Sequence, residues 1–239
     1  MSNADSSRGR IGLTIILPFL LALILISLAV PRFFAAIALA PGDPIFERIR
    51  ARDGVVTDED LRKLAQSRAR AARWIDSANI WTEQGIAYRA LARRAGLDGE
   101  EGRQLAERSL ASTVKGLRLA PVDPYAWLRL ADTVIRLDGP SPEAARYLMI
   151  SAVTGPQERT IAVPRLRLAL ASWELLDEDA RDIFRRQIGL HWAASGCALA
   201  RDVIRSGTES VVAQILASDL DALTQFNDCL RGAGLWRRT

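Results

Sequence analysis

The residues able to do acid–base or metal chemistry are few in this chain and widely spaced. Among its 239 residues there is one histidine, His191, and there are two cysteines, Cys197 and Cys229. A zinc or haem site needs several such ligands at short spacing, and a catalytic cysteine needs a partner histidine. A lone histidine in the apolar context of Ile188–Trp192 is expected to pack or to cap a helix. We therefore predict no metal, no cofactor and no catalytic residue.

The two cysteines, separated by 32 residues on what are predicted to be different helices, leave two alternatives open. A disulfide would be permitted outside the cytoplasm, where it would stabilise the fold by restricting the unfolded chain. Two buried free thiols fit the sequence equally well. The spacing of Cys197 and Cys229 does not decide between these alternatives.

Clustered carboxylates are the remaining candidates for acid–base catalysis. Glu100-Glu101 and Asp177-Glu178-Asp179 both stand where helices are predicted to begin, and there the helix dipole stabilises negative charge. Ser195-Gly196-Cys197 is not a nucleophile elbow because no strand is predicted before it. The sequence thus predicts a protein that is not an enzyme. The alternative is a lipid- or glycan-handling enzyme with a groove between helices.

An apolar run without a charge, Ile11 to Val30, precedes this polar body. At about 1.5 Å of rise per helical residue, it is long enough to span the roughly 30 Å core of a bilayer. We predict a helix break at Pro31, after which Arg32 reaches the headgroups and Phe33 lies in the interface. The predicted organisation is a cytoplasmic tail at 1–10, a transmembrane anchor with its interfacial segment at 11–40, a linker at 41–56 and a helical-repeat domain at 57–239.

Two sequence signals predict opposite orientations of the anchor in the membrane. Basic residues are more numerous after the apolar run than before it, and this count favours a cytoplasmic domain. In contrast, a short amino-terminal tail that carries Arg8 and Arg10 commonly stays inside. We predict a single-pass protein of the bacterial inner membrane with its domain in the periplasm; a regulator on the cytoplasmic side is the alternative.

Basic residues outnumber acidic ones, 32 against 28, and give a net charge of +4. Only Lys63 and Lys115 are lysines, and the arginines alternate with acidic residues along the predicted helices. This mixing argues against a nucleic-acid partner. The one dense cluster is expected to form a solvated helix face, with contact to anionic lipids as the alternative; it consists of Arg62, Lys63, Arg68, Arg70 and Arg73.

Helix signals dominate the chain after the linker, and no segment shows sustained strand alternation. Thr57 and Asp60 form the pattern of a capping box, and Asp123-Pro124 and Ser141-Pro142 pair a cap with proline at the first helical position. Further helices are predicted at about 178–195 and 197–206, with a single last helix at about 209–231. The expected fold class is all-α, with one transmembrane helix followed by stacked antiparallel helical hairpins.

A repeated pattern is the most specific signal in this domain. Trp81-x-x-Gln84-Gly85-x-x-Tyr88 resembles the first helix of a tetratricopeptide repeat, and a second unit begins at Trp127. The resemblance implies hairpins that pack through small residues and leave a groove for a peptide or a partner helix. The residues that carry it are Trp81, Gly85, Tyr88, Gly116 and Pro121 in the first unit, and Trp127, Leu130, Ala131, Ala144, Leu148, Ser151 and Pro156 in the second.

A second resemblance concerns the whole organisation. The anchor, the repeat-like body and the stretch Thr154–Arg159 leading into Arg165–Leu170 are similar to accessory proteins of bacterial exopolysaccharide loci. That family implies a role in the assembly or export of surface polysaccharide rather than in sugar chemistry. Together these patterns predict a non-catalytic scaffold that is anchored in the membrane and binds other envelope proteins.

Overall fold

The computed structural model describes residues 5–232, with side chains from Pro18 onward except those of residues 195, 202, 205 and 206. Within that range every regular element is helical, so the prediction of an all-α fold is confirmed. A 3₁₀ turn, Trp173–Leu175, lies between the eighth and ninth helices. The α-helices are α1 (Asp5–Leu39), α2 (Asp43–Ala51), α3 (Asp58–Ala71), α4 (Ala78–Ala95), α5 (Glu100–Leu119), α6 (Pro124–Asp138), α7 (Pro142–Thr154), α8 (Arg159–Ala171), α9 (Glu178–Ser195), α10 (Cys197–Ser206), α11 (Glu209–Leu216) and α12 (Leu220–Gly232).

Side-chain caps begin several of these helices as the sequence predicts. The Thr57 hydroxyl accepts from the Asp60 N–H at 3.1 Å, and the Asp60 carboxylate accepts from the Thr57 N–H at 3.1 Å. At the start of α6 the Asp123 carboxylate accepts two backbone N–H groups, and Ser141 caps α7 by accepting from the Ala144 N–H. These bonds satisfy donors that the first turn of a helix leaves unpaired.

The anchor helix differs from the prediction in one respect. Within residues 5–232, one helix is long and apolar enough to cross a membrane, with a candidate span of Pro18–Leu39 and a mean hydropathy of 2.4. α1 continues through Pro18 and Pro31, so the break predicted at Pro31 is absent. Its last turns pack on α3 and bury Ala35, and this contact holds the chain helical beyond the proline.

Two other segments contain details that the sequence analysis did not predict. The segment predicted as a linker, 41–56, contains α2, which buries Ile45 against Leu64 and Ala65 of α3. The predicted last helix is divided into α11 and α12. The Asp219 carboxylate accepts from the Ala222 N–H at 3.0 Å and starts the second of these helices.

The largest apolar core lies in the carboxyl-terminal half of the domain and joins residues of α6 to α12. Phe184, Ile188 and Phe226 are completely buried in it. Cys197 and Cys229 form a disulfide with their Cα atoms 5.2 Å apart, which ties α10 to α12 and answers the question that the sequence left open.

Candidate functional site

The junction between α1, the predicted anchor, and the rest of the domain is built around the side chain of Arg68. This guanidinium is only 2% exposed. Its Nε donates to Glu83 at 2.7 Å, and its Nη1 donates to the Leu39 carbonyl at 3.1 Å and contacts the Asp43 carboxylate at 2.9 Å. One side chain of α3 therefore binds the end of α1, the start of α2 and the middle of α4.

Burial changes the pKa of Glu83, the acidic partner of Arg68. Desolvation raises the pKa of the Glu83 carboxyl, and the charge of Arg68 and its hydrogen bond offset only part of that rise. The connector also approaches very closely, because a Cβ on Gly42 would lie 2.1 Å from the Ser67 hydroxyl and 2.9 Å from Nη1 of Arg68. A larger residue at position 42 would therefore displace the side chains of Ser67 and Arg68, which are both buried at this junction.

This geometry corrects one expectation about the basic cluster. Arg62, Lys63, Arg70 and Arg73 are exposed, as predicted for a solvated helix face, but Arg68 is buried. The sequence contains only a weak indication that Arg68 is buried. Its spacing places it on the same face of α3 as Leu61 and Leu64, but the neighbouring charged residues favoured an exposed position. Its acceptors are distant in the chain.

The first predicted hairpin, α4 with α5, makes close contacts through its small residues. A Cβ on Gly85 would lie 2.6 Å from the Thr113 hydroxyl, and one on Gly116 would lie 2.5 Å from a methyl group of Thr82. The Ser109 hydroxyl donates to the Gly85 carbonyl at 2.8 Å. Larger side chains at either glycine would push the two helices apart.

The second predicted hairpin, α6 with α7, contains completely buried residues at its predicted packing positions. Ala131, Ala144 and Leu148 have no exposed surface, and Leu130 is buried as well. The Ser151 hydroxyl donates to the Pro124 carbonyl at 2.8 Å and so joins the end of α7 to the start of α6.

The predicted aromatic and proline positions lie nearer the surface. Trp81, Tyr88 and Trp127 are half-buried, and the Trp127 indole N–H donates to the Pro121 carbonyl at 2.8 Å. Pro121 and Pro156 are exposed just beyond the ends of α5 and α7. Trp81 and Trp127 therefore lie near the starts of α4 and α6, whereas Tyr88 packs on the edge of the apolar cluster between α2, α3 and α4.

The candidate catalytic groups have structural roles in the part of the chain that is described. The Asp177 carboxylate caps α9 by accepting from the Ala180 N–H at 2.8 Å, and Glu178 pairs with Arg185 at 2.7 Å. His191 is half-buried and lines a small apolar cavity with Leu166. The side chains that the structure describes include no group of three histidine, cysteine or acidic residues placed to hold a metal ion.

No family model matches the chain, and no curated protein or solved structure matches it. The site must therefore be interpreted from its own geometry.

A groove in the carboxyl-terminal half lies between α7 and α9 and has a volume of about 640 Å³. Its floor is apolar, and its rim carries Glu143, Arg146 and Asp177. The Tyr147 hydroxyl donates to Glu143 on this rim, and burial together with that bond raises the pKa of Tyr147 to about 12. The apolar residues of the groove are Pro142, Ala145, Met149, Leu175, Leu176 and Ala180.

Proposed function

We propose that the chain is a non-catalytic scaffold of helical repeats, anchored in the bacterial inner membrane, that binds protein partners of the envelope. The observation that carries this proposal is the junction at Arg68. A freely diffusing catalyst gains nothing from a fixed angle between anchor and domain. A scaffold does, because its groove must be held at one height and orientation above the membrane.

The packing of the two hairpins supports a repeat architecture of the tetratricopeptide type. Gly85 and Gly116 lie at close contacts between α4 and α5, and Ala131 and Ala144 are completely buried in the next hairpin. Small residues at these positions let paired helices approach closely, as stacked hairpins require.

The groove between α7 and α9 suits a partner helix or peptide. A floor that includes Met149 and Leu176, below a rim with Arg146 and Asp177, resembles the apolar trough that receives an amphipathic helix. Methionine adapts to different partners because its side chain is unbranched and polarisable.

Placement of the domain in the periplasm is supported by the bond between Cys197 and Cys229, because disulfides persist in oxidising compartments and are rare in the cytoplasm. The resemblance to accessory proteins of exopolysaccharide loci makes assembly or export of surface polysaccharide the first pathway to test for this scaffold.

The direct test is photo-cross-linking in living cells. A photoreactive residue replaces Met149 in the groove or, as the control, Leu190, an exposed apolar residue of α9 that does not line it. We expect a discrete protein adduct from position 149 and none from position 190. A lipid or glycan adduct at 149 would favour the alternative of a lipid- or glycan-handling enzyme.

A complementary test compares loss of the anchor with loss of single titratable groups. Exchange of residues 1–40 for a cleavable signal should abolish complementation of a deletion strain, because the local concentration near a membrane partner falls. His191→Ala and Glu100→Gln should complement normally. A folded, abundant single-residue variant without function would contradict the scaffold proposal.

A further inference from the structure

A second cleft, of about 660 Å³, lies where the anchor helix meets the domain. Its wall on α1 is formed by Phe34, Ile37 and Ala38, and its opposite wall by Arg70 and Trp74 with their neighbour Arg73. The rings of Phe34 and Trp74 stack with their centroids 4.6 Å apart, although Trp74 remains 46% exposed. This juxtamembrane cleft thus combines an apolar trough with two guanidinium groups.

The position of the juxtamembrane cleft along α1 decides which environment it meets. The uncharged run from Ile11 to Val30 matches the roughly 30 Å hydrocarbon core, and each headgroup layer adds roughly 5–8 Å. The candidate span Pro18–Leu39 extends past Arg32, the first charge after that run, so we place the last two turns of the span in the headgroup layer. Phe34 and Ile37 follow within two helical turns of that core and therefore lie at the level of the headgroups. Tryptophan and arginine at this depth are typical of side chains that contact lipid.

The charges of the juxtamembrane cleft are uncompensated. Arg70 and Arg73 are exposed, and neither side chain makes an ion pair or hydrogen bond with any residue that the structure describes. In contrast, Arg62, Arg89 and Arg94 each have an acidic partner. Two adjacent guanidinium groups without a carboxylate beside them suit a phosphate, which arginine binds through paired N–H donors.

We propose that the juxtamembrane cleft binds one anionic phospholipid. The acyl chain lies along Phe34, Ile37 and Ala38, and the headgroup phosphate is bound by Arg70 and Arg73. The trough is continuous with the bilayer, so a lipid enters it laterally without leaving the membrane. A zwitterionic lipid carries a choline or ethanolamine cation that would face the two arginines, and it binds less well.

The test titrates the full chain in detergent micelles with phosphatidylglycerol or phosphatidylcholine, and native mass spectrometry counts the bound lipids. We expect the wild type to retain one phosphatidylglycerol and to bind phosphatidylcholine more weakly. Arg70→Gln with Arg73→Gln should weaken phosphatidylglycerol binding roughly 30-fold, or about fivefold per arginine. Ala38→Phe, which fills the apolar trough and keeps both arginines, should weaken it as well.

The matched control is Arg93→Gln with Arg186→Gln, which removes the same charge from exposed positions outside the juxtamembrane cleft. It should bind phosphatidylglycerol as the wild type does.

An equal loss in the control, wild-type binding in either cleft variant, or equal retention of the two lipids would overturn the proposal. Displacement of the lipid by inorganic phosphate would identify a site for free anions, and capture of an acidic peptide in preference to lipid would identify a protein-binding site; either result would also overturn it.

Discussion

The half of the domain next to α1 and the half away from it are held together by different contacts. In the segment from α3 to α5 the helices are joined by close polar contacts. Arg68 donates to Glu83, the Ser109 hydroxyl donates to the Gly85 carbonyl, and the Ser112 hydroxyl donates to the Gln84 side chain. From α6 to α12 the helices pack around one continuous apolar cluster, and the Cys197–Cys229 disulfide links α10 to α12.

This difference suggests that one half sets the orientation of α1 and that the other half provides most of the folding stability. Apolar burial is non-directional and tolerates small shifts, whereas a buried guanidinium stabilises only the arrangement that satisfies its donors. We infer that the half next to α1 uses Arg68 to fix the angle of α1, and that the distant half supplies most of the stability. Each of the following predictions concerns a substitution that weakens contacts in one of the two halves.

Arg68→Ala should have the largest effect, a loss of about 3–5 kcal/mol in the free energy of unfolding. The substitution leaves the Glu83 carboxylate without its cation and removes one of the two donors to the Leu39 carbonyl, of which the Gly42 N–H remains. Denaturant titration of the full chain in detergent micelles measures the change. Arg70→Ala, on the same helix but exposed, should stay within about 0.5 kcal/mol of the wild type. Equal stability of the two variants would show that Arg68 does not secure the junction.

Loss of the disulfide should cost about 3–4 kcal/mol, the chain-entropy value for a loop of this length. Cys197→Ser with Cys229→Ser removes the bond, and thermal unfolding measures the result. A reductant should lower the stability of the wild type to that of the double variant and leave the double variant unchanged. If the reductant has no effect on the wild type, the distant half does not depend on this cross-link.

Ala131→Leu and Ala144→Leu should each cost about 1–3 kcal/mol, because extra carbon atoms overpack the contact between α6 and α7. Both alanines are completely buried. Ala111→Leu, at an exposed position of α5, is the control and should be nearly neutral. Wild-type stability of both buried variants would show that the repeat register is wrong.

Tyr147→Phe should have the smallest effect, visible only in strong alkali. The folded pKa of Tyr147 is about 12, above the ordinary value of 10.0. The unfolded chain therefore releases this proton first, and the contribution of Tyr147 to stability is lost as the pH rises from about 10 to about 12. The variant should lose less stability than the wild type over that interval, measured relative to pH 9. Identical pH profiles would contradict the burial of this hydroxyl.

Local signals in the sequence were enough to predict the all-α class, the long apolar helix at the amino-terminal end and several helix starts. Thr57, Asp123 and Ser141 cap helices through bonds that span two or three residues, so their pattern is visible in the sequence alone. Gly85 lies at a close contact between α4 and α5 and Ala131 is completely buried, whereas the repeat register that singled them out stays a prediction.

Contacts between distant segments could not be predicted in this way. Arg68 was placed on a solvated face because its acceptors, Leu39 and Glu83, are 29 and 15 residues away. α2 was missed because a nine-residue helix depends on burying Ile45 against α3 rather than on its own propensity. The break after α11 has no glycine or proline to mark it.

The most direct measurement of the central claim is the distance between a spin label on α1 and one on the domain, with the full chain in lipid nanodiscs. Labels at Ala36→Cys and Arg108→Cys replace exposed residues, and the native cysteines are already bonded to each other. A junction fixed by Arg68 predicts one narrow distance distribution that broadens in the Arg68→Ala background. A broad distribution of the same width in both proteins would contradict it and would leave the anchor as a simple tether.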